Sequence, residues 1–193
     1  MSTDVSAAIL AGGRAARFGG RDKSAIVVEG RTILERQIDA LAQIAGEILI
    51  VGRGTHPAAR TIPDRVEGCG PMGGLDAALS AARGDLVVVV ACDMPFVTTA
   101  LLTGLVGLAG GAGDPGGIDA VVPRTERGYH PLCAVYRRSV LGAVERHLAR
   151  GRLKMRDLLA ELRVTFTDVD RFGDCHRLLA NVNTPADLEG HEP

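Results

Sequence analysis

The stretch Leu86-Val87-Val88-Val89-Val90-Ala91-Cys92-Asp93-Met94-Pro95-Phe96 decides the architecture. Asp85–Ala91 has the length of a strand, is rich in β-branched residues and shows no alternation of apolar and polar positions. A strand that is apolar on both sides is buried on both faces, as in a parallel sheet covered by helices. Outward from it, Val5–Ala11, Ile48–Val51, Thr61–Pro63, Ile118–Val122, Leu132–Tyr136 and Val164–Val169 read as further strands, with a short one at Ala25–Val28 turned by Glu29-Gly30. Helices fall between them. Thr32 and Glu35 make a capping-box pattern ahead of Ile33, Leu34, Ile38, Leu41 and Ile44, and Leu75–Arg83, Thr98–Leu108, Val140–Leu148, Met155–Leu162 and Thr184–Glu189 follow. Glu67–Gly74 reads as a turn-rich segment and Ala109–Gly117 as a glycine-rich surface loop. Strands alternating with helices imply an α/β fold, a three-layer α/β/α sandwich around a mostly parallel, Rossmann-like sheet. With no internal repeat and no linker, residues 1–193 read as one domain.

Composition narrows the function. Hydrophobic residues make up 46% and charged residues 23%, as in a folded globular chain. Aromatics are 3%, with no Trp, so the core must be built from Ala, Val, Leu and Ile. That scarcity argues against single-stranded nucleic-acid binding, which uses aromatic stacking platforms. A formal net charge of −1 offers no broad attraction to nucleic acid or to an acidic membrane, so any phosphate-binding charge must be local. Cys69, Cys92, Cys133 and Cys175 are far apart and match neither a zinc site nor a disulfide framework; Cys92 reads as an inert core thiol, and a reducing cytoplasm is the expected compartment. The start MSTDVSAAIL lacks the pattern of a signal peptide, and no apolar run approaches the roughly 20 residues of a membrane helix.

In an open α/β sheet, ligands sit at the carboxyl ends of the strands. The loop after the first strand is Leu10-Ala11-Gly12-Gly13-Arg14-Ala15-Ala16-Arg17-Phe18-Gly19-Gly20-Arg21-Asp22-Lys23. Its glycines allow backbone N–H groups to approach phosphate oxygens, and Arg14, Arg17, Arg21 and Lys23 supply the charge that a triphosphate requires. It is neither a P-loop, since Asp22 precedes Lys23-Ser24, nor a G-x-G-x-x-G dinucleotide loop. Asp93 follows the strongest strand, with Pro95 preventing the strand from continuing. A carboxylate there is the expected ligand for Mg²⁺, although a turn aspartate is the structural alternative. Asp64, after Ile62-Pro63, is either a hydrogen-bonding partner for a base edge or ribose, or a turn or cap aspartate.

The pattern L-A-G-G-x-x-x-R-F-G-G-x-D-K, together with Asp93-Met94-Pro95-Phe96, resembles the signature of the molybdenum cofactor guanylyltransferases. Three further segments extend the resemblance from Ile9 to Leu188: Gly70-Pro71-Met72-Gly73-Gly74, His130-Pro131-Leu132-Cys133-Ala134-Val135-Tyr136 and Asn181-Val182-Asn183-Thr184-Pro185-Ala186-Asp187-Leu188. The resemblance implies a fold of the nucleotide-diphospho-sugar transferase type. It implies GTP on Leu10, Ala11, Gly12, Gly13, Lys23, Asp64 and Gly70, Arg17 at the phosphates, and Mg²⁺ on Asp93. It implies an N-terminal part, about residues 1–100, for the nucleotide and a C-terminal part, about 118–190, for the acceptor.

The implied acceptor is molybdopterin, with or without molybdenum, held by Gly20, His130, Arg152, Lys154, Asn181 and Asn183. Other proteins of molybdenum-cofactor biosynthesis and the recipient molybdoenzymes are the implied partners. From the residues alone, His130 is either a cleft residue or a structural one. Arg152-Leu153-Lys154 is either a ligand segment or a solvated helix start, and Tyr136 reads as core. The resemblance breaks at Val51, where the family often carries Asn. The alternatives are a cytidylyltransferase for the same cofactor, from which the doubled glycines with Asp22-Lys23 point away, a sugar-phosphate nucleotidyltransferase, and a non-catalytic carrier of the cofactor, which would need no metal.

Overall fold

A computed structural model describes residues 2–11, 26–66, 68–110, 117–182 and 187. In chain order the elements are β1 (Ser2–Ala11), β2 (Val27–Val28), β3 (Arg31–Thr32), α1 (Ile33–Ala42), β4 (Ala45–Gly52), β5 (Arg60–Ile62), α2 (Gly70–Ala81), β6 (Leu86–Ala91), α3 (Thr99–Ala109), β7 (Ala120–Thr125), β8 (Gly128–Tyr129), β9 (Cys133–Arg137), α4 (Leu141–Ala149), α5 (Met155–Leu159), β10 (Val164–Asp168) and α6 (Cys175–Leu178). β2 and β3 form a separate small ribbon. The others make an eight-stranded sheet in the order β10-β7-β9-β6-β1-β4-β5, with β8 paired to β7.

β1 is parallel to β4 and β6, β4 to β5, and β10 to β7. β9 runs antiparallel between β6 and β7. The expected sheet is therefore mostly parallel, with one reversed strand wedged into it. Because β9 reverses twice over, β6 and β7 point the same way. The carboxyl ends of β1, β4, β5, β6, β7 and β10 thus share one edge.

Val87, Val88, Val89 and Val90 of β6 are all fully buried. Val88 and Val90 face one core with α1 and α3; Val87 and Val89 face the other with α2, α4 and α5. Burying each such side chain is worth about 1.5–3 kcal/mol relative to exposure, so the run belongs at the centre of the sheet. α1 begins as its sequence foretells: the Thr32 hydroxyl accepts from Glu35 N (3.2 Å) while the Glu35 carboxylate accepts from Thr32 N (2.9 Å).

α2 departs from the sequence reading by starting at Gly70 rather than Leu75. Pro71 fits a first helical turn, and the glycines answer to packing. A Cβ on Gly74 would lie 3.3 Å from Leu10 Cδ1, and one on Gly73 3.0 Å from the Val66 carbonyl oxygen. The glycines that look like a loop are what let the helix start lie close to β1. The final helix expected at Thr184–Glu189, apart from Asp187, and most of the loop expected at Ala109–Gly117 fall outside the described residues.

At the amino edge, Gly84 N donates to Ser6 Oγ (2.9 Å), and Ser6 Oγ donates to Glu47 Oε1 (2.7 Å). A Cβ on Gly84 would meet the Asp4 carbonyl oxygen at 2.6 Å and Ser6 N at 2.8 Å, both backbone atoms. Gly84→Ala is expected to destabilise the fold by about 1–3 kcal/mol, read as a lower urea midpoint at unchanged m-value. An unchanged midpoint would contradict this account of the β1–β6 approach.

Candidate active site

The candidate site is built on the turn that follows β6. Cys92 donates its backbone N–H to Leu10 O of β1 (3.2 Å), and Met94 donates to Ala91 O (3.3 Å). Gln37, fully buried on α1, donates from Nε2 to the carbonyls of Ala91 (2.7 Å) and Met94 (2.9 Å). Those carbonyls lose ladder partners where the strand breaks, and buried carbonyls must be paired. Asp93 lies between them, half-buried, with its Oδ1 enclosed.

A second brace comes from Phe96, which packs in a small core with Val28, Ile33 and Val182. Arg177 and Arg36 lie over its ring at 4.7 and 5.9 Å from the centroid. Both arginines also pair with Glu29, at 2.7 and 3.0 Å, and Arg36 Nε donates to Pro95 O (3.0 Å). Val182 N donates to Asp93 O (2.7 Å), which lays the segment carrying Asn181 against Asp93.

A cavity of about 210 Å³ opens here, lined in part by Asp93, Asn181, His130, Tyr129, Leu132 and Met155. Asp93, His130 and Asn181, far apart in sequence, thus share one cavity. His130 donates its backbone N–H to Pro123 O (2.9 Å), and its Nε2 lies 3.0 Å from Thr125 Oγ1. Burial holds its imidazole below the usual histidine range, which favours the neutral ring. Tyr136 is fully buried and donates its hydroxyl to Pro131 O (2.8 Å), the core role read from sequence. Arg152 and Lys154 are exposed in the segment leading to Met155; Arg152 pairs with Glu161 (3.6 Å), whereas Lys154 has no carboxylate partner among the described residues.

Asp64 and Gly70 stand apart from this cavity, beyond β5 on the same edge. Gly70, exposed and with φ +57°, is the first residue of α2. Leu10 is buried and Ala11 half-buried at the end of β1. Gly12, Gly13, Arg17, Gly20, Lys23 and Asn183 lie outside the described residues. Val51 is fully buried between Leu10 and Ile62, so no polar side chain reaches out from that position.

Three supporting residues escaped the sequence reading: Gln37, Arg36 and Arg177. Gln37 had a visible signal, because it interrupts the apolar stripe of Ile33, Leu34, Ile38 and Leu41 and must therefore find buried partners. The arginines had none, since their partners lie far away in the chain.

The donors suit a hard cation of a particular kind. Asp93 is the one carboxylate on the cavity wall among the described residues, and no group of three or more His, Cys, Asp or Glu residues there forms a metal cage. One carboxylate plus substrate phosphates and water is how a magnesium-type ion is held; a zinc-type cage would need more protein ligands.

Comparison with known proteins places the chain in a family. Residues 7–166 match the family model of the MobA-like NTP transferase domain. The chain is 33% identical to a molybdenum cofactor guanylyltransferase from Desulfosudis oleivorans, over 97% of this chain and 94% of that protein. It is 33% identical to a probable molybdenum cofactor guanylyltransferase from Pelotomaculum thermopropionicum, over 93% and 88%. Among solved structures it superposes on molybdopterin-guanine dinucleotide biosynthesis protein A from Archaeoglobus fulgidus with a TM-score of 0.77, at 29% identity, covering 97% and 96% of the two chains. A 2-C-methyl-D-erythritol 4-phosphate cytidylyltransferase from Thermus thermophilus, 18% identical with a TM-score of 0.67 over 94% of each chain, shares the fold.

His130 is expected to titrate below 6.5 in an NMR pH titration. Its folded value is depressed, so the stability tied to the neutral ring is complete above 6.5 and is lost as the pH falls through the folded value. Titration at or above 6.5 would contradict the burial described here.

Proposed function

The chain belongs to the MobA-like NTP transferase family, and we propose that it transfers GMP from GTP to the terminal phosphate of molybdopterin, releasing pyrophosphate. It is an enzyme of the nucleotidyltransferase type, working in molybdenum-cofactor biosynthesis. The observation that carries the reading is the position of Asp93. It sits on the turn after β6, beside the end of β1, which the glycine- and arginine-rich segment follows in the sequence, and opens on a cavity shared with His130 and Asn181.

In this proposal the nucleotide occupies the N-terminal half. Leu10, Ala11, Gly12 and Gly13 meet the triphosphate through backbone N–H groups, Asp64 and Gly70 meet the base or ribose, and Arg17 and Lys23 offset the charge that builds on the departing pyrophosphate. The buried Val51 leaves base recognition to Asp64 and the start of α2. Asp93 would hold a divalent cation, Mg²⁺ in our reading, which when bound neutralises phosphate oxygens and favours expulsion of pyrophosphate. The C-terminal half holds most of the acceptor: Arg152 and Lys154 at its anionic groups, Asn181 and Asn183 as hydrogen-bonding partners, and His130 as a donor or acceptor, with Gly20 joining them from the N-terminal part.

An oxygen of the acceptor's phosphate forms the new bond to the α-phosphorus as the bond to the β-phosphate oxygen breaks. The attacking phosphate is already ionised near neutral pH, its second pKa being about 6, so no general base is required. Catalysis then rests on alignment and charge stabilisation. Among the described residues no helix is long and apolar enough to cross a membrane. The cytoplasm is the proposed compartment, and other molybdenum-cofactor proteins and the recipient molybdoenzymes are the proposed partners.

Pyrophosphate release is expected with GTP, Mg²⁺ and molybdopterin together, and not with CTP, ATP or UTP. Asp93→Asn is expected to lower kcat by roughly 10²-fold or more, the scale on which loss of one transition-state charge partner is felt, with thermal stability preserved. Release with CTP would move the chain to the cytidylyl relatives. Near-normal turnover by the variant would remove Asp93 from its role.

A further inference from the structure

The chain holds four Phe and two Tyr and no Trp. Phe96 and Tyr136 are buried, whereas Tyr129 and Phe166 stack on each other at the surface, with ring centroids 4.2 Å apart and planes inclined by 25°. Tyr129 is 53% exposed and Phe166 37%. The pair is placed by the sheet. Phe166 on β10 is level with Val122 of β7, and Tyr129 on β8 is level with Arg124 of β7, so both project from the face on which Val122 packs with α2, α4 and α5.

Tyr129 is the one aromatic residue on the wall of the Asp93 cavity among the described residues. Asp64 and Gly70 follow β5, at the opposite end of the sheet order from β7 and β10. Met155, also on the cavity wall, directly follows the exposed Lys154 in the chain.

We propose that Tyr129, held in orientation by its stack on Phe166, is a platform for the flat pyrimidine ring of the acceptor's pterin and so a binding residue for the second substrate. This rests on the reading of the acceptor given above. A large π-surface kept half in water beside a phosphate-transfer site suits a planar, electron-rich ring, and aromatic stacking is tolerant of ring substituents. Pre-orientation by Phe166 lowers the ordering cost of binding. The Tyr129 hydroxyl has no hydrogen-bond partner among the described residues, so the ring is the working part.

The test is direct binding of molybdopterin by anaerobic ultrafiltration, with the free and bound pterin quantified by fluorescence after oxidation, alongside steady-state kinetics. Tyr129→Ala is expected to weaken molybdopterin binding and raise its KM about 5- to 100-fold, with the KM for GTP unchanged. Tyr129→Phe should restore wild-type values, and Phe166→Ala should give a smaller loss. Unchanged molybdopterin affinity in Tyr129→Ala, while the wild type turns over, overturns the platform and leaves the guanylyl reading standing. Weakened binding with no GMP transfer by the wild type keeps the platform and overturns that reading. A raised KM for GTP instead would place the guanine on Tyr129 and overturn the proposal.

Discussion

The rest of the site depends on how a strand buried on both faces is brought to a stop. β6 cannot end in water, so the backbone carbonyls released at its carboxyl end must be paired inside the protein. The amide of Gln37 does this for both Ala91 and Met94, at 2.7 and 2.9 Å. Asp93 is thereby held on a rigid turn at the edge shared by the parallel strands. In the cation-holding role proposed for Asp93, a carboxylate fixed in this way would lose little freedom on binding, the condition under which positioning accelerates transfer.

The same turn ties two halves of the chain together. Cys92 is hydrogen-bonded to Leu10 at the end of β1, and Asp93 to Val182 far along the chain. Glu29, in the ribbon of β2 and β3, pairs with Arg36 and Arg177, whose guanidiniums cover Phe96. Residues from the beginning and end of the chain therefore meet at the centre of the sheet. The reversed strand β9 contributes as well, because the segment preceding it, with His130 and Leu132, forms a wall of the same cavity.

The layers were legible in the sequence because the uninterrupted valines of β6 permit only burial on both faces, and because Thr32 and Glu35 announce α1 through local hydrogen bonds. Asp93 was legible for a similar reason, since Pro95 stops the strand just beyond it. The start of α2 was not, because glycines serve equally for a loop and for a helix packed tightly on Leu10 and the Val66 carbonyl. The reversal of β9 was hidden too, as an apolar strand carries no mark of its direction. Gln37 could be read as an anomaly but not matched to its partners. Tyr129 gained meaning only when β10 brought Phe166 beneath it.

The central claim is that the α-phosphate of GTP, with its nucleoside, passes to the acceptor at Asp93. The most direct measurement is the fate of label from [α-³²P]GTP and [γ-³²P]GTP after reaction with molybdopterin. The account requires the α-label to appear in the pterin dinucleotide and the γ-label in pyrophosphate. Label recovered only as free GMP, or a γ-label carried onto the pterin, would contradict it.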